Sequence, residues 1–438
     1  HIILDLVHSE FKYYIFNYDR FWFNLQLELD DLYNYRDYFF EKNPMELAGD
    51  KIKLVEEKMH QLVDKFNEIN DRSQFLFLKG KAYNISTKYD ARATQCLSKA
   101  IKLNPKLVEA WNELGECYWK NKNIKDAKNS FEGGMKIVTL RCLSIIHRQE
   151  LMTNTAVAES VNYAKEAVSL DCKDGTSWSV LGNAYMCQYF LVSQEPNTLK
   201  ACMSAYKQAE LDPVARGLSD LYYNKAVALK YDEQYTESLS AFDRACKLDP
   251  QWNVARDERN KLITFINSVK DLVKNKGKIK NKKLQHMVQS LDPKLMGPYA
   301  VPKSVHTFGR RKNVQVEHCR IGDLQEGLNE GKVILGKVIG SIYTDNVVPF
   351  TFGLVDGSAE CVCVTVYNWA DGKGVIIGDS VAIPEPLLKT QRFFFNNTEF
   401  YFKSIRVNNP ASMLVNGRHV SKTQFAGTRV TSTYEMVH

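Results

Sequence analysis

The ten cysteines of this sequence include no C-x-x-C pair. A structural zinc site needs paired spacing, and a disulfide scaffold belongs to short secreted chains. Scattered at positions 96, 117, 142, 172, 187, 202, 246, 319, 361 and 363, mostly on apolar faces, the thiols read as small buried hydrophobes in a reducing compartment. Uninterrupted apolar runs are equally absent. None approaches the roughly 18 residues of a membrane span, so no transmembrane helix and no membrane partner are expected. The stretch His1–Gln26 is aromatic-rich but broken by Asp5, Glu10, Lys12, Asp19 and Arg20. It lacks the basic start and clean apolar run of a secretory leader. No P-loop, G-x-S-x-G or H-E-x-x-H motif occurs, and the nine His do not gather with Cys or Asp at metal spacing. An enzyme is therefore the weakest function class, and neither metal nor cofactor is expected.

What is present is the composition of a globular protein, 44% hydrophobic and 25% charged over 438 residues, a length that suits two or three domains. The net charge of +7 is unevenly spread. Between Arg256 and Lys312 there are 15 Lys and Arg against 4 Asp and Glu, so the remainder is slightly acidic. A local basic block on a balanced protein points to an anionic partner at one place.

The clearest pattern lies in Glu109–Ile137. Trp111, Leu114, Gly115 and Tyr118, followed by Ala127 and Phe131, form W-x2-L-G-x2-Y and A-x3-F, the tetratricopeptide helix–turn–helix repeat. The first four share one helical face. Gly115 carries no side chain, which lets the second helix approach there. Further repeats follow the same register: Gln74–Pro105, a degenerate one over Thr139–Asp171, one opened by Trp178, Leu181, Gly182 and Tyr185 with an insertion at Phe190–Leu199, and Leu218–Pro250. The reading is an all-α tetratricopeptide repeat solenoid over 71–274, including a capping helix from Trp252, preceded by an N-terminal helical cap over 1–70.

Stacked repeats curve, and their first helices line a concave surface that suits a peptide. Counted from the repeat Trp position, the groove-facing places hold Gln74, Phe77 and Lys81; Glu109, Asn112 and Glu116; Ser179 and Asn183; and Asp220 and Tyr223. Arg148 lies on the degenerate first helix of repeat three. Amides can satisfy an extended backbone, and an arginine can grip a carboxylate bidentately. A charged residue on a solenoid helix is otherwise an ordinary solvated one.

A run of lysines follows the solenoid: Lys274, Lys276, Lys278, Lys280, Lys282 and Lys283, with no acid among them. Gly277 and Asn281 weaken helix, so a loop or frayed helix end is expected within a basic segment and linker over 275–312. A solvated linker, a nuclear-import address and a contact to phosphate backbone all fit this run. After Pro293 the period changes from helical to alternating. Val314–Cys319, Val333–Tyr343, Phe350–Val355, Glu360–Tyr367, Ser380–Ile383 and Phe400–Val407 read as strands. They suit a small all-β closed barrel of the oligonucleotide/oligosaccharide-binding (OB) type over 313–425. Phe393, Phe394 and Phe395 with Arg392 and Lys389 are either a base-stacking patch or core aromatics.

The order of repeats, lysine run and barrel resembles the Strap-type tetratricopeptide repeat protein five family. The matching words are LVEAWNELGECYWK (107–120), DGTSWSVLGNAY (174–185), KGKIKNKKLQ (276–285), VILGKVIGSI (333–342), PFTFGLVD (349–356) and IGDSVAIPEPLL (377–388). The resemblance implies a non-enzymatic adaptor, cytoplasmic and nuclear. Its groove would take the first residues, Met-Arg-Glu, of a nascent tubulin chain, with Arg148 and Asp220 as the matching charges. Lysines of the basic run, Lys278, Lys280 and Lys282 by match and Lys276 and Lys283 beside them, would touch the ribosome at its RNA. Recruited mRNA-decay adaptor proteins would then degrade the tubulin message. The alternative implied role is a nuclear scaffold for a coactivator acetyltransferase in the stress response. Departures from the family pattern are His147 beside the arginine and many surface residues of the barrel.

Overall fold

The structure is a computed structural model. It describes residues 23–68, 73–132, 136–150, 153–300, 306–307, 310–311, 316–343, 349–370, 372–395, 397–427, 430 and 432–433. The chain forms two compact units. One runs to Arg256 and includes the residues from Val430 onward; the other runs from Asp257 to Arg429. The division thus falls inside a helix expected to cap the solenoid whole.

The first unit is helical. The cap comprises α1 (23–37), α2 (Phe39–Lys42) and α3 (Lys51–Asp64). Repeat pairs follow as α4 (Ser73–Tyr83) with α5 (Ala91–Leu103), α6 (Val108–Lys120) with α7 (Ile124–Glu132), α8 (Lys136–Glu150) with α9 (Asn154–Leu170), α10 (Gly175–Gln188) with α11 (Pro196–Ala209), and α12 (Ser219–Tyr231) with α13 (Tyr235–Leu248). The repeat residues do what their spacing predicts. A Cβ on Gly115 would stand 2.6 Å from the Phe131 ring, and one on Gly182 would stand 2.6 Å from the Tyr206 ring. Those two glycines are therefore where paired helices touch. Trp111 and Trp178 each donate an indole N–H to a carbonyl just before their helix, Pro105 O and Cys172 O, both at 2.9 Å. The insertion after α10 is a π-helical turn, Tyr189–Ser193, ended by Gln194 at φ 48°. The cap packs Leu25, Leu29, Val55, Met59 and Phe66 onto Phe75 and Leu78 of the first repeat. It also reaches the fifth repeat: Arg216 bonds Glu41 at 3.3 Å, and Gln251 bonds Gly49 O at 3.2 Å.

The second unit holds most of α14 (Asn253–Lys274), then α15 (Asn281–Gln289), and the strands β1 (His306–Thr307), β2 (Arg310–Arg311), β3 (Glu317–His318), β4 (Gly327–Leu328), β5 (Lys332–Ile342), β6 (Phe350–Asp356), β7 (Cys361–Val366), β8 (Ser380–Pro384), β9 (Leu387–Phe395), β10 (Thr398–Val407), β11 (Leu414–Val415) and β12 (Arg418–His419). The sheet order is β12-β11-β8-β5-β6-β7-β10-β9-β4, with β7 and β10 parallel. This is an OB arrangement, but the sheet does not close as an unbroken ladder: it is interrupted between β8 and β9. The segment 380–395 is one bent strand in two parts. Glu385 adopts φ 46° and Pro386 has no N–H to give, so β8 pairs with β5 and β9 with β10. The sequence reading also missed β9, because its Lys389, Gln391 and Arg392 hide the alternation. The core is Ile334, Val338, Phe352, Leu354, Val364, Trp369 and Ile405. The strand β5 reads as a continuous apolar run because both its faces are covered. Val333 and Leu335 meet Met296, and Ile339 meets Leu284 and Met287 of α15.

Candidate functional site

The first helices of the repeats gather buried polar side chains in the first unit. Arg148, on α8, is 1% exposed. Its Nη1 donates to Ser144 Oγ at 2.9 Å and to Ser160 Oγ at 3.4 Å. Its Nε donates to Ser432 Oγ at 3.3 Å. Burial lowers its guanidinium to about 10, with the Cys187, Tyr206 and Asp220 groups opposing, so it stays charged at neutral pH. Asp220, on the first turn of α12, is buried and pushed up to about 7 by desolvation, although backbone N–H groups and Arg148 pull it down. Arg148 and Asp220 therefore share one electrostatic environment.

Asn224, one helical turn beyond Asp220, was missed by the sequence reading. Its Nδ2 donates to Thr433 O at 2.7 Å and its Oδ1 accepts from Thr433 N at 2.8 Å. One amide thus satisfies both backbone groups of one residue, which is how a side chain holds an extended peptide. With Arg148 on Ser432 and the Cys187 thiol 3.6 Å from the Ser432 hydroxyl, residues 432–433 lie in the groove as a peptide would. The signal for Asn224 was available: it is an amide two places after the register residue Tyr222, a place the groove count skipped.

The remaining expected groove residues divide. Asn112 and Asn183 are buried on α6 and α10, and Asn183 Oδ1 accepts from the Tyr206 hydroxyl at 2.7 Å. Glu116 belongs to a buried network. Asn84 Nδ2 donates to Glu113 at 2.8 Å and to Glu116 at 3.3 Å, while Lys120 reaches Asn84 Oδ1 at 2.8 Å. Desolvation first, then the Glu113 charge, pushes Glu116 up to about 7. Lys81 is drawn to the cap, with Nζ 4.7 Å from the Tyr33 ring. Tyr223 corrects the expectation. Its ring packs on Phe242 of α13 at 5.7 Å and on Trp252, just before α14, at 4.9 Å, so packing already claims it. Beside Asp220 lies a cavity of ≈ 90 Å³ lined by Arg36, Lys51, Ser86, Ser219, Asp220 and Asp249 among others. It opens where the cap meets repeats one and five.

In the second unit the lysine run begins as the expected loop, a turn between the end of α14 at Lys274 and the start of α15 at Asn281, but this loop is anchored and its last two lysines are helical. Lys276, Gly277 and Lys278 form a left-handed turn with φ of 46°, 63° and 56°. Gly277 seats on the barrel, where a Cβ would come 2.4 Å from Ile339 O. The Lys276 amine donates to Ala359 O at 2.8 Å. Lys282 and Lys283 lie in the first turn of α15, which docks through Leu284 and Met287. Lys278, Lys280, Lys282 and Lys283 are exposed, and Lys276 is half-buried. Four lysines are thus held on a folded scaffold.

Among the described residues no helix is long and apolar enough to cross a membrane. The sequence profile of the Tetratricopeptide repeat protein 5 OB fold domain matches residues 315–429. That of the tetratricopeptide repeat matches 73–107, 108–137 and 219–251. The crystal structure of YrrB, described as a TPR protein with an unusual peptide-binding site, is similar at 20% identity. It covers 48% of this chain and 96% of its own, with a TM-score of 0.28. Human Tetratricopeptide repeat protein 5 is 41% identical over 423 residues, covering 93% of this chain and 96% of the human one. The bovine protein is 40% identical over the same lengths. At that identity and coverage, this chain belongs to the tetratricopeptide repeat protein 5 family.

Proposed function

We propose that this protein is a non-enzymatic adaptor that reads a nascent peptide and contacts the ribosome. Its groove binds the N-terminal Met-Arg-Glu segment of nascent tubulin. Its lysine array meets ribosomal RNA, and the complex recruits mRNA-decay machinery, which lowers tubulin message. The observation that carries the peptide half is the Asn224 clamp on Thr433, with Arg148 on Ser432 beside it. A ligand in extended form reuses those bonds. Its acidic residue pairs with Arg148 and its basic residue with Asp220, which lines a cavity roomy enough for a side chain. Peptide and residues 432–433 then exclude one another at Asn224. The lysine half is supported by four exposed, scaffold-held cations without an acid among them, whose contact to phosphate weakens steeply with salt.

The test uses the full chain and programmed ribosomes displaying a tubulin N-terminus. Arg148→Ala should lose selectivity for that nascent chain while keeping general ribosome association. Lys280→Glu with Lys282→Glu should lose ribosome association whatever peptide is displayed. If the lysine variant co-sediments normally at physiological salt, the RNA half is wrong. If Arg148→Ala keeps full selectivity, the peptide half is wrong.

A further inference from the structure

The β9–β10 hairpin runs past the end of the barrel core. At its base Leu388 and Ile405 face each other inside the core. Further out, the same face carries three directly opposed pairs: Thr390 with Lys403, Arg392 with Tyr401, and Phe394 with Glu399. Beyond the core this face is uncovered, and Phe394 is 68% and Tyr401 53% exposed. The opposite face is closed. Phe393 and Phe400 stack there with centroids 5.1 Å apart, and Lys270 of α14 lies 5.4 Å from the Phe400 ring. The aromatic run therefore splits by strand alternation. Phe393 is packing, whereas Phe394 projects from a ledge.

That ledge has the chemistry of a stacking platform. Phe394 and Tyr401 are diagonal neighbours across two antiparallel strands, so their rings stand roughly 7–8 Å apart at the backbone. Arg392 stands directly opposite Tyr401 and two places before Phe394 on the same strand face, and its Nε bonds Glu399 at 3.2 Å. That pair compensates Arg392 as well as Glu399, and Glu326 accepts from Thr390 N at 3.1 Å, so the positive charge beside the rings comes from Lys403 and the neighbouring lysines. Flat rings flanked by cations bind single strands, whose bases have free faces, and not duplexes. The lysine array stands at the same end of the barrel. β10 runs parallel to β7, so the hairpin tip and the β6–β7 turn share one end. Lys270 bonds Glu399 O at the tip, and Lys276 bonds Ala359 O at the turn.

We infer that the Phe394–Arg392–Tyr401 ledge is a binding site for single-stranded RNA, stacking its bases while the neighbouring lysines meet its phosphates. The stacking part does not rest on the ribosomal reading, since any unpaired strand has the required faces. The test is fluorescence anisotropy of the full chain with labelled oligouridine and with a duplex RNA of equal length, over a range of salt. Phe394→Ala with Tyr401→Ala should weaken oligouridine binding about tenfold or more, leaving the salt slope and the duplex affinity unchanged. The conservative pair Phe394→Tyr with Tyr401→Phe should retain binding. Lys280→Glu with Lys282→Glu should flatten the salt slope for both probes. Both aromatics are exposed, so unchanged thermal melting of the variants is expected. The inference is overturned if the double alanine variant binds oligouridine as the parent does, or if the parent shows no preference for the single strand. A normal salt slope in the lysine variant, with stacking lost in the alanine variant, would overturn the phosphate contact alone.

Discussion

At Asp220 the carboxyl is raised to about 7 because desolvation outweighs the Arg148 charge. The sign follows directly. Below about 7 the group is mostly protonated, and a cationic ligand finds no charge there; above it the carboxylate is available. Affinity for a peptide carrying Arg should therefore rise as pH goes from about 6 to about 8, and Asp220→Asn should flatten that dependence. Without ligand the effect on folding is opposite. A raised acid contributes stability that is present below its usual range and is lost as pH climbs to about 7. Denaturant titrations should show Asp220→Asn less sensitive to pH than the parent over that window. At Asn224 the two backbone bonds are worth roughly 0.5–1.5 kcal/mol each. In a chain ending at Arg429, where residues 432–433 do not compete, Asn224→Ala should then weaken peptide binding about tenfold or more in an anisotropy titration. The repeat register assigns Asp220 to a helix face, whereas Arg148 sits on a helix without the register Trp and Gly, so the sequence assigns it to that helix only. The same register places Asn224 on its helix, but not its partner: Thr433 stands 209 positions further along the chain. Tyr223 differs for the complementary reason: register gives the face, but the Trp252 that packs on its ring comes from the connection between α13 and α14.

At the scale of elements, glycines mark the places where backbones meet. Gly115→Ala puts a methyl 2.6 Å from the Phe131 ring, and should cost about 1–3 kcal/mol in urea unfolding, since a packed ring must shift. Gly277→Ala meets backbone at Ile339 O and also needs φ of 63°. Neither relaxes cheaply, so this variant should loosen the lysine segment from the barrel. Faster amide exchange over 276–287 is the measurement that checks it. The helix pairs were legible because W-x2-L-G-x2-Y encodes both a face and a close contact. The lysine segment was not, because its order comes from Ile279, Leu284 and Met287 docking on β5 and β6, a tertiary contact that local propensity does not encode. The strand β9 was lost for a similar reason. Its faces differ, Phe393 packed and Phe394 open, but the residues on them do not alternate in type, so the strand period is absent from the sequence.

Across the whole molecule, Val430, Ser432 and Thr433 belong with the helical unit and not with the barrel that precedes them. The chain thus carries its own occupant for the groove at Asn224 and Arg148. The most direct measurement is the affinity of a labelled peptide beginning Met-Arg-Glu for the full chain and for a chain ending at Arg429. The shortened chain should bind more tightly, because residues 432–433 no longer compete, and both chains should lose that binding with Arg148→Ala. Equal affinities for the two chains, or binding that survives Arg148→Ala unchanged, would contradict it.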